Sequence, residues 1–289
     1  MAFRTLEITT PAKLDYSLNY LNCRTAENTK RFCLDELETV IIATTAVSIT
    51  ASLIVELINK KINVVFCDEK HNPQSQVVPL YGSFNCFQSL KTQMNWSSSI
   101  KDKVWKEIVK EKIRWQAEVL KKYSPGDEKY LFNQVDNVLD GDKTNCEGHS
   151  AKHYFNRLFS NDFSRDDVCD ENTFLNYGYS ILLSEVNRYI VCKGYLTRLG
   201  IHHCNQNNEF NLSCDLMEPF RPIIDDYIHN VNRDNFKLKL ISLFQNATLL
   251  INNTRQTMKN AINIYVSSVL QALDKEDLTC LSFFTSYEL

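Results

Sequence analysis

The residue pattern changes abruptly near residue 75, and this change constrains the fold more than any other feature of the sequence. Before it, short runs rich in β-branched and aromatic residues recur between turn signals, which is typical of strands. A helix is predicted among them at 48 to 61, with Ser48 as its N-cap. The predicted strands cover residues 3 to 9, 14 to 24, 29 to 35, 39 to 47 and 62 to 68.

After this point, apolar residues recur at helical spacing and the pattern predicts a helical domain. The segment 68 to 82 contains Pro73 and Pro79 and is the predicted boundary. We therefore expect an α+β fold, with a small β-rich N-terminal domain at 1 to 75 and a larger, all-helical domain at 76 to 289. The predicted helices lie near residues 84 to 95, 101 to 122, 127 to 138, 146 to 160, 171 to 198, 219 to 230, 235 to 245 and 253 to 273.

Several classes of protein are disfavoured by the composition. No charged and then apolar signal segment opens the chain, and no run reaches the roughly 18 apolar residues of a membrane span. The ten cysteines never form Cys-x-x-Cys, so neither a disulfide framework nor a zinc knuckle is indicated. We expect a soluble, cytoplasmic protein with no membrane contact. Its aromatic C-terminal tail, 281 to 289, is expected either to dock on a partner or to pack on the protein's own helices.

Charge is close to balanced over the whole chain, with a net charge of −3. The segment 101 to 122 is the exception, because it holds eight Lys or Arg against four Asp or Glu. A basic helix can neutralise DNA phosphates. The alternative is a solvated helix with internal ion pairs, and the interspersed acids favour it.

An Asn-rich loop at 199 to 222 concentrates two histidines, two cysteines and three acids. Three interpretations are open: a zinc site, a hard-metal catalytic site, or a polar connection in which Glu218 caps the helix that begins at Pro219. Structural zinc prefers closely spaced cysteine pairs, and Cys204 and Cys214 are too far apart in sequence. The adjacent His202 and His203 have diverging side chains, so one of them should be spare.

A further acid, Glu147, opens a predicted helix. Thr144-x-x-Glu147 fits a capping box, which alone would explain this glutamate. Alternatively, two glutamates and one histidine at helix ends suit Mg²⁺ or Mn²⁺, which prefer carboxylate oxygens and keep open positions for phosphate. The residues alone leave both interpretations open.

Three ordered motifs carry a resemblance to a known family. They are "CEGHSAKHYF", "LNYGYSILLSEVNRYI" and "GIHHCNQNNEFNLSCDLMEPFRP". Together they resemble the CRISPR-associated integrase and endonuclease family of Cas1 proteins. The opening segments "MAFRTLEITTPAKLDYSLNYL" and "INVVFCDEKHNPQ" are similar to the type II branch of that family. One departure is that "CNQNNEFN", after His203, lacks the Gly-x-Pro step common in the family.

The resemblance implies a reaction and its partners. The reaction is the metal-dependent joining of protospacer DNA 3′ ends into the CRISPR repeat array, with Mg²⁺ or Mn²⁺ as cofactor. The implied assembly is a homodimer, paired through its β-rich domain, that binds double-stranded DNA, a small ferredoxin-like Cas2 protein and other type II adaptation proteins.

The family's metal ligands match Glu147, His203 and Glu218. His203 is preferred over His202 because the family's histidine precedes the last acid of the Asp-Leu-Met-Glu motif by fifteen residues, as His203 does. The remaining candidates are Asp215, as a neighbour that supports a ligand, and four basic residues that could contact DNA: Arg221, Arg188, Lys152 and Arg157.

Two rival functions share these residues. The first is a metal-dependent nuclease that acts on branched DNA without directed integration. The second is a non-enzymatic, helical DNA-binding scaffold, in which the glutamates only cap helices.

Overall fold

The computed structural model describes residues 4–69, 73–81, 86–230 and 236–289. Contacts between residues divide the chain into two compact units, Met1–Gly82 and Ser83–Leu289. The predicted roles of these regions, dimerisation for the first and catalysis for the second, stay predictions.

The first unit contains two four-stranded sheets and a helix, α1 (Ala51–Asn59). One sheet has the order β1-β5-β7-β8, in which the first three strands are parallel and β8 is antiparallel to β7. The other has the order β4-β3-β2-β6. The strands are β1 (Arg4–Ile8), β2 (Ala12–Ser17), β3 (Tyr20–Arg24), β4 (Thr29–Cys33), β5 (Leu37–Ile42), β6 (Val47–Ile49), β7 (Asn63–Cys67) and β8 (Pro73–Gln76).

Two details of the predicted β-rich region are wrong. The single strand expected at 14 to 24 is a hairpin, because Leu18 and Asn19 both have positive φ and form a two-residue turn between β2 and β3. The helix begins later than expected, because Thr50, and not Ser48, accepts the capping hydrogen bond from the backbone N–H of Leu53.

Helices dominate the second unit, as the spacing of apolar residues predicts. Within the described residues, no helix is both long enough and apolar enough to cross a membrane. The helices are α2 (Cys86–Met94), α3 (Ser98–Tyr123), α4 (Glu128–Asn137), α5 (Cys146–Leu158), α6 (Asp170–Cys192), α7 (Asn211–Met217), α8 (Arg221–Asn230), α9 (Phe236–Asn246) and α10 (Met258–Lys275).

The prediction of an all-helical second region is also wrong. A three-stranded antiparallel sheet, β10-β9-β11, lies within it and is formed by β9 (Thr248–Ile251), β10 (Thr254–Thr257) and β11 (Phe284–Glu288). Asn252 and Asn253 have positive φ and close the turn between β9 and β10. The predicted helix at 253 to 273 therefore begins only at Met258.

The C-terminal tail packs on its own chain as strand β11. Phe284 is 2% exposed and stacks on Trp115 of α3, with 4.6 Å between ring centroids. The hydroxyl of Tyr287 donates to Asp226 of α8 at 2.8 Å. Of the two alternatives for the tail, packing on the protein's own helices is the one that the structure contains.

Helix α3 is the central element of the second unit. It is 26 residues long, begins at the N-cap Ser97, and packs against α4, α5, α7, α8 and α10. Its apolar face includes Val104 and Ile108, which are fully buried. This helix therefore reaches every part of the candidate site described below.

Candidate active site

Glu147 lies in the first turn of α5 and does not cap it. The N-cap is Asn145, which has a positive φ and accepts a hydrogen bond from the backbone N–H three residues later. The carboxylate of Asp142 accepts a second one from the backbone N–H of Glu147 at 2.9 Å. The capping box expected from Thr144 is therefore wrong, because asparagine tolerates the left-handed conformation that this helix start requires. The side chain of Glu147 is available for other contacts.

Glu218 is also not an N-cap, in contrast to the interpretation based on Pro219. A 3-10 helix, Glu218–Phe220, joins α7 directly to α8, so the backbone is helical on both sides of Glu218. The N-cap of the 3-10 helix is Met217, and Glu218 is only 2% exposed. The Asn-rich loop therefore ends at α7, and Glu218 projects from a buried helical segment.

One lysine lies between the two glutamates. The ammonium of Lys112, on α3, is 2.6 Å from Oε1 of Glu147 and 2.5 Å from Oε2 of Glu218. Burial opposes the charge of Lys112, but Glu218 and Glu147 outweigh it and raise the lysine pKa. Burial likewise acts to raise the pKa of Glu147, but the charge of Lys112 and its hydrogen bond lower it overall. Lys112 and Glu147 are therefore both charged at neutral pH.

His203 lies on the loop between α6 and α7 and is oriented by Asp215. The Nδ1 atom of His203 is 2.5 Å from Oδ1 of Asp215, which is fully buried on α7. The same carboxylate accepts hydrogen bonds from the backbone N–H groups of Ile201, His202 and His203, at 2.7 to 3.1 Å. The hydrogen bond that the ring donates to the Asp215 carboxylate raises the pKa of His203. Because Nδ1 contacts Asp215, Nε2 is the ring nitrogen that can bind a metal ion or substrate.

Gly200 permits this arrangement. A Cβ atom at this position would lie 2.3 Å from the carbonyl oxygen of His203 and 2.7 Å from Oδ2 of Asp215. A side chain would therefore push the loop away from the carboxylate that holds it.

The two adjacent histidines have different environments, as their diverging side chains predict. The ring of His202 stacks on the buried ring of Trp105, with centroids 4.4 Å apart and planes inclined by 5°. Only His203 contacts the carboxylate of Asp215 through its side chain. The structure therefore distinguishes a packed histidine from one that an acid orients.

A family model described as "CRISPR associated protein Cas1" matches residues 6–263. A protein of Neisseria meningitidis serogroup C (strain 8013), "CRISPR-associated endonuclease Cas1", is 32% identical over 83% of this chain and 80% of its own length. The chain belongs to the Cas1 family. Its similarity to the Neisseria protein also supports the predicted resemblance to the type II branch.

Solved structures show the same Cas1 fold at lower sequence identity. A casposase bound to its integration product matches with a TM-score of 0.77 and 18% identity, over 96% of this chain and 92% of that one. A Cas6-RT-Cas1–Cas2 complex matches with a TM-score of 0.75 and 16% identity, over 96% of this chain and 36% of that one. The arrangement of a β-rich region before a helical region is therefore that of known Cas1 structures.

The donor set of this Cas1 chain fits a hard divalent ion in its chemistry. Two carboxylates, Glu147 and Glu218, already share one cation, and a third donor, His203, has its other ring nitrogen held by an acid, as metal-binding histidines do. Within the described ranges, however, no three His, Cys, Asp or Glu side chains are close enough to hold a metal ion together. Metal binding by this trio thus stays a proposal. Zinc gains no support, since Cys204 is exposed and the thiol of Cys214 accepts a hydrogen bond from the side-chain amide of Asn208.

The four basic candidates occupy different environments. Arg221 is 3.0 Å from Oε1 of Glu218 and lies over the ring of Tyr179. Arg188 pairs with Glu185 on its own helix at 3.3 Å. The other two lie on α5, where Lys152 is exposed and Arg157 bonds to Asn161 and pairs with Asp127. Arg221 therefore belongs to the glutamate cluster, whereas Lys152 and Arg157 are exposed to solvent.

Sequence reasoning missed Lys112, which it placed within a solvated basic helix. Lys112 comes four residues after the buried Ile108 and three before Trp115, so helical spacing places it on the apolar face of α3. This spacing was the available signal. A charged residue on a buried face requires a partner of opposite charge.

Proposed function

We propose that this Cas1 chain is a metal-dependent DNA integrase and endonuclease of CRISPR adaptation, which joins the 3′-OH ends of protospacer DNA into the CRISPR repeat array. The family supports a nuclease or integrase. The single observation that carries the assignment to these residues is the convergence of Glu147 and Glu218 on one cation, beside an oriented His203.

Glu147, His203 and Glu218 would hold Mg²⁺ or Mn²⁺. When bound, such an ion favours the alkoxide form of the attacking 3′-OH and polarises a phosphoryl oxygen. Asp215 fixes the ring of His203 so that Nε2 would be the nitrogen that binds the metal. Arg221 holds one oxygen of Glu218. These contacts restrict both side chains before DNA arrives, which reduces the reorganisation needed for the reaction.

The reaction is a transesterification. The 3′-oxygen of the incoming strand forms a new bond to a phosphorus of the repeat, and the bond from that phosphorus to the repeat's own 3′-oxygen breaks. The proton lost by the attacking hydroxyl is balanced by the one that the leaving oxygen gains. No covalent intermediate with the protein is needed.

DNA and a Cas2 protein are the proposed partners. The casposase of similar fold is bound to an integration product, and another similar structure is a complex that includes Cas2. On this chain, exposed basic residues of α5, Lys152 and Arg157, are the proposed backbone contacts, since exposed lysine and arginine side chains can displace counterions from DNA. Arg188 is proposed to contribute less, because its side chain is only 11% exposed and lies 3.3 Å from the carboxylate of Glu185.

A homodimer is proposed to form through the β-rich unit. The sheet with the order β4-β3-β2-β6 ends in strand β4, whose first three residues are exposed, and an exposed edge strand can pair with a second chain. Light scattering should give a dimer mass at micromolar concentrations. A monomer mass across that range would contradict this proposal.

The decisive assay follows the joining of a 3′-OH duplex into a repeat-containing plasmid. It should require Mg²⁺ or Mn²⁺, stop with chelator, and depend on the Cas2 partner for directed insertion. Glu147→Gln should abolish it. Cleavage of branched DNA without joining, with or without Cas2, would favour the nuclease alternative, and no metal-dependent activity on either substrate would favour the scaffold.

A further inference from the structure

We propose that Lys112 is a positioning residue whose ammonium competes with the divalent ion for Glu147 and Glu218. In this proposal, which rests on the function proposed above, the lysine holds the two carboxylates together until the ion takes its place. Replacing Lys112 should therefore lower the stability of the metal-free protein and raise its affinity for the divalent ion.

The first argument is geometric. Lys112 is 7% exposed, and its ammonium contacts oxygens from two elements, α5 and the 3-10 helix Glu218–Phe220. A divalent ion binds carboxylate oxygens at roughly 2.0 to 2.1 Å, somewhat shorter than either ammonium contact. An ion between the same two oxygens would therefore need the position that the ammonium now takes.

The second argument is electrostatic. Glu147 and Glu218 are mostly buried, and two neighbouring carboxylates in such a site repel each other unless a cation lies between them. Arg221 contacts Glu218 at Oε1 and its charge also acts on Glu147, but Lys112 makes an ion pair with both carboxylates. Lys112 is thus the cation that joins the two acids.

The third argument concerns the choice of lysine. An ammonium is a compact charge on a flexible four-carbon stem, whereas a guanidinium is a planar fork that fixes carboxylates in pairs. The stem of Lys112 can turn away when a more strongly charged ion arrives. A lysine thus allows an exchange that a bidentate arginine would resist.

Lys112→Met tests this competition, because methionine keeps an unbranched apolar stem and removes the charge. In chelator, the melting temperature of this variant should fall by roughly 5 to 15 °C, because two acids lose their shared cation. Its affinity for Mn²⁺, measured by calorimetric or paramagnetic-resonance titration of the purified full chain, should rise by about tenfold or more. Mn²⁺ should also raise its melting temperature further than that of the unsubstituted protein.

Lys106→Met is the matched control. Lys106 lies on the same helix and pairs with Asp140 at 3.0 Å, away from the two glutamates. Its substitution removes one lysine and one ion pair from α3, but it should leave Mn²⁺ affinity unchanged. A purely structural role for Lys112 would likewise lower stability without tightening Mn²⁺ binding, so the rise in affinity is the deciding observation.

A second measurement uses the unsubstituted protein and does not depend on the variant folding. Amine-reactive labelling, followed by mass spectrometry, should show low labelling of Lys112 in chelator and at least severalfold more in saturating Mn²⁺, as the ammonium leaves the carboxylates. Labelling of Lys106 should not change. Equal labelling of Lys112 in both conditions would overturn the proposal.

Failure of this inference can be separated from failure of the proposed function. If Glu147→Gln and Glu218→Gln leave Mn²⁺ affinity unchanged, the metal site itself is wrong, and both proposals fall. If these variants lose Mn²⁺ but Lys112→Met binds it with unchanged affinity, the competition is wrong and the metal site stands.

Discussion

The two halves of the candidate site are built on different principles. Glu147 and Glu218 project from helices, are mostly buried, and are held by the charges of Lys112 and Arg221. The side chain of His203 is 42% exposed, lies on a loop, and is held by hydrogen bonds to a single acid. The glutamate half therefore depends on charge balance, and the histidine half depends on the contacts of Asp215.

The largest expected effect comes from removing a proposed ligand from either half. Glu147→Gln and His203→Ala should each lower metal-dependent strand transfer by on the order of 10² to 10⁴, because the ion loses a ligand that fixes the 3′-OH near the phosphate. The assay is integration by each folded variant. DNA binding should persist, since it depends on backbone charge contacts elsewhere. Full activity of Glu147→Gln would mean that Glu147 has no catalytic role and is only part of the first turn of α5.

Asp215→Asn should produce the next largest effect and act only on the histidine half. The amide cannot accept all the hydrogen bonds that the carboxylate accepts from the loop, so the ring of His203 loses its fixed orientation. Integration should fall by roughly 10- to 100-fold, in kcat more than in KM. Asp277→Asn is the control and should keep normal activity, because Asp277 accepts a hydrogen bond from the backbone N–H of Thr279 outside the site. A variant that is less stable but equally fast would show that Asp215 supports only the fold.

Asp225, near the glutamate half, should make stability depend on pH. Burial raises its pKa to about 7, although Tyr179 donates a hydrogen bond to it at 2.5 Å. The folded protein therefore retains a proton that the unfolded chain releases near pH 3.8, and the stability from this group is lost as pH rises from about 4 to 7.

Asp225→Asn isolates that contribution, because asparagine stays neutral at every pH. Relative to the variant, the unsubstituted protein should lose on the order of 2 to 4 kcal/mol of unfolding free energy between pH 4 and pH 8. Denaturant unfolding at several pH values measures the difference. A difference that does not change with pH would mean that Asp225 is ionised throughout.

The smallest effect is expected from His202→Ala. This substitution removes a ring stacked on Trp105, and it should cost about 1 kcal/mol of stability. Integration should stay within roughly a factor of three of normal. Equal losses in His202→Ala and His203→Ala would contradict the division of roles between the two histidines.

The pattern of apolar residues predicted most of the helices and the β-rich start, because burial of one face imposes a period on the sequence. It failed where a short turn interrupts a longer pattern. Leu18 and Asn19 divide one predicted strand into a hairpin. Asn252 and Asn253 form a turn, so the start of the helix predicted at 253 to 273 is instead strand β10. Such turns depend on positive φ at one or two residues, and the spacing of apolar residues carries no information about φ.

The site residues were found through a resemblance, and local patterns alone would have misread them. Thr144 and Pro219 each offered an N-capping explanation for a glutamate, yet neither glutamate is an N-cap. The partners of Lys112 lie at least 35 positions away along the chain, so a short stretch of sequence does not reveal these contacts. Long-range packing decides which charged residues share a site.

The most direct test of the metal site is anomalous diffraction at the manganese edge from crystals of this protein grown or soaked with Mn²⁺. One strong peak is expected between the carboxylates of Glu147 and Glu218 and the Nε2 atom of His203, with the ammonium of Lys112 displaced from the two acids. A peak elsewhere, or full Mn²⁺-dependent integration with no peak among these three residues, would contradict the account.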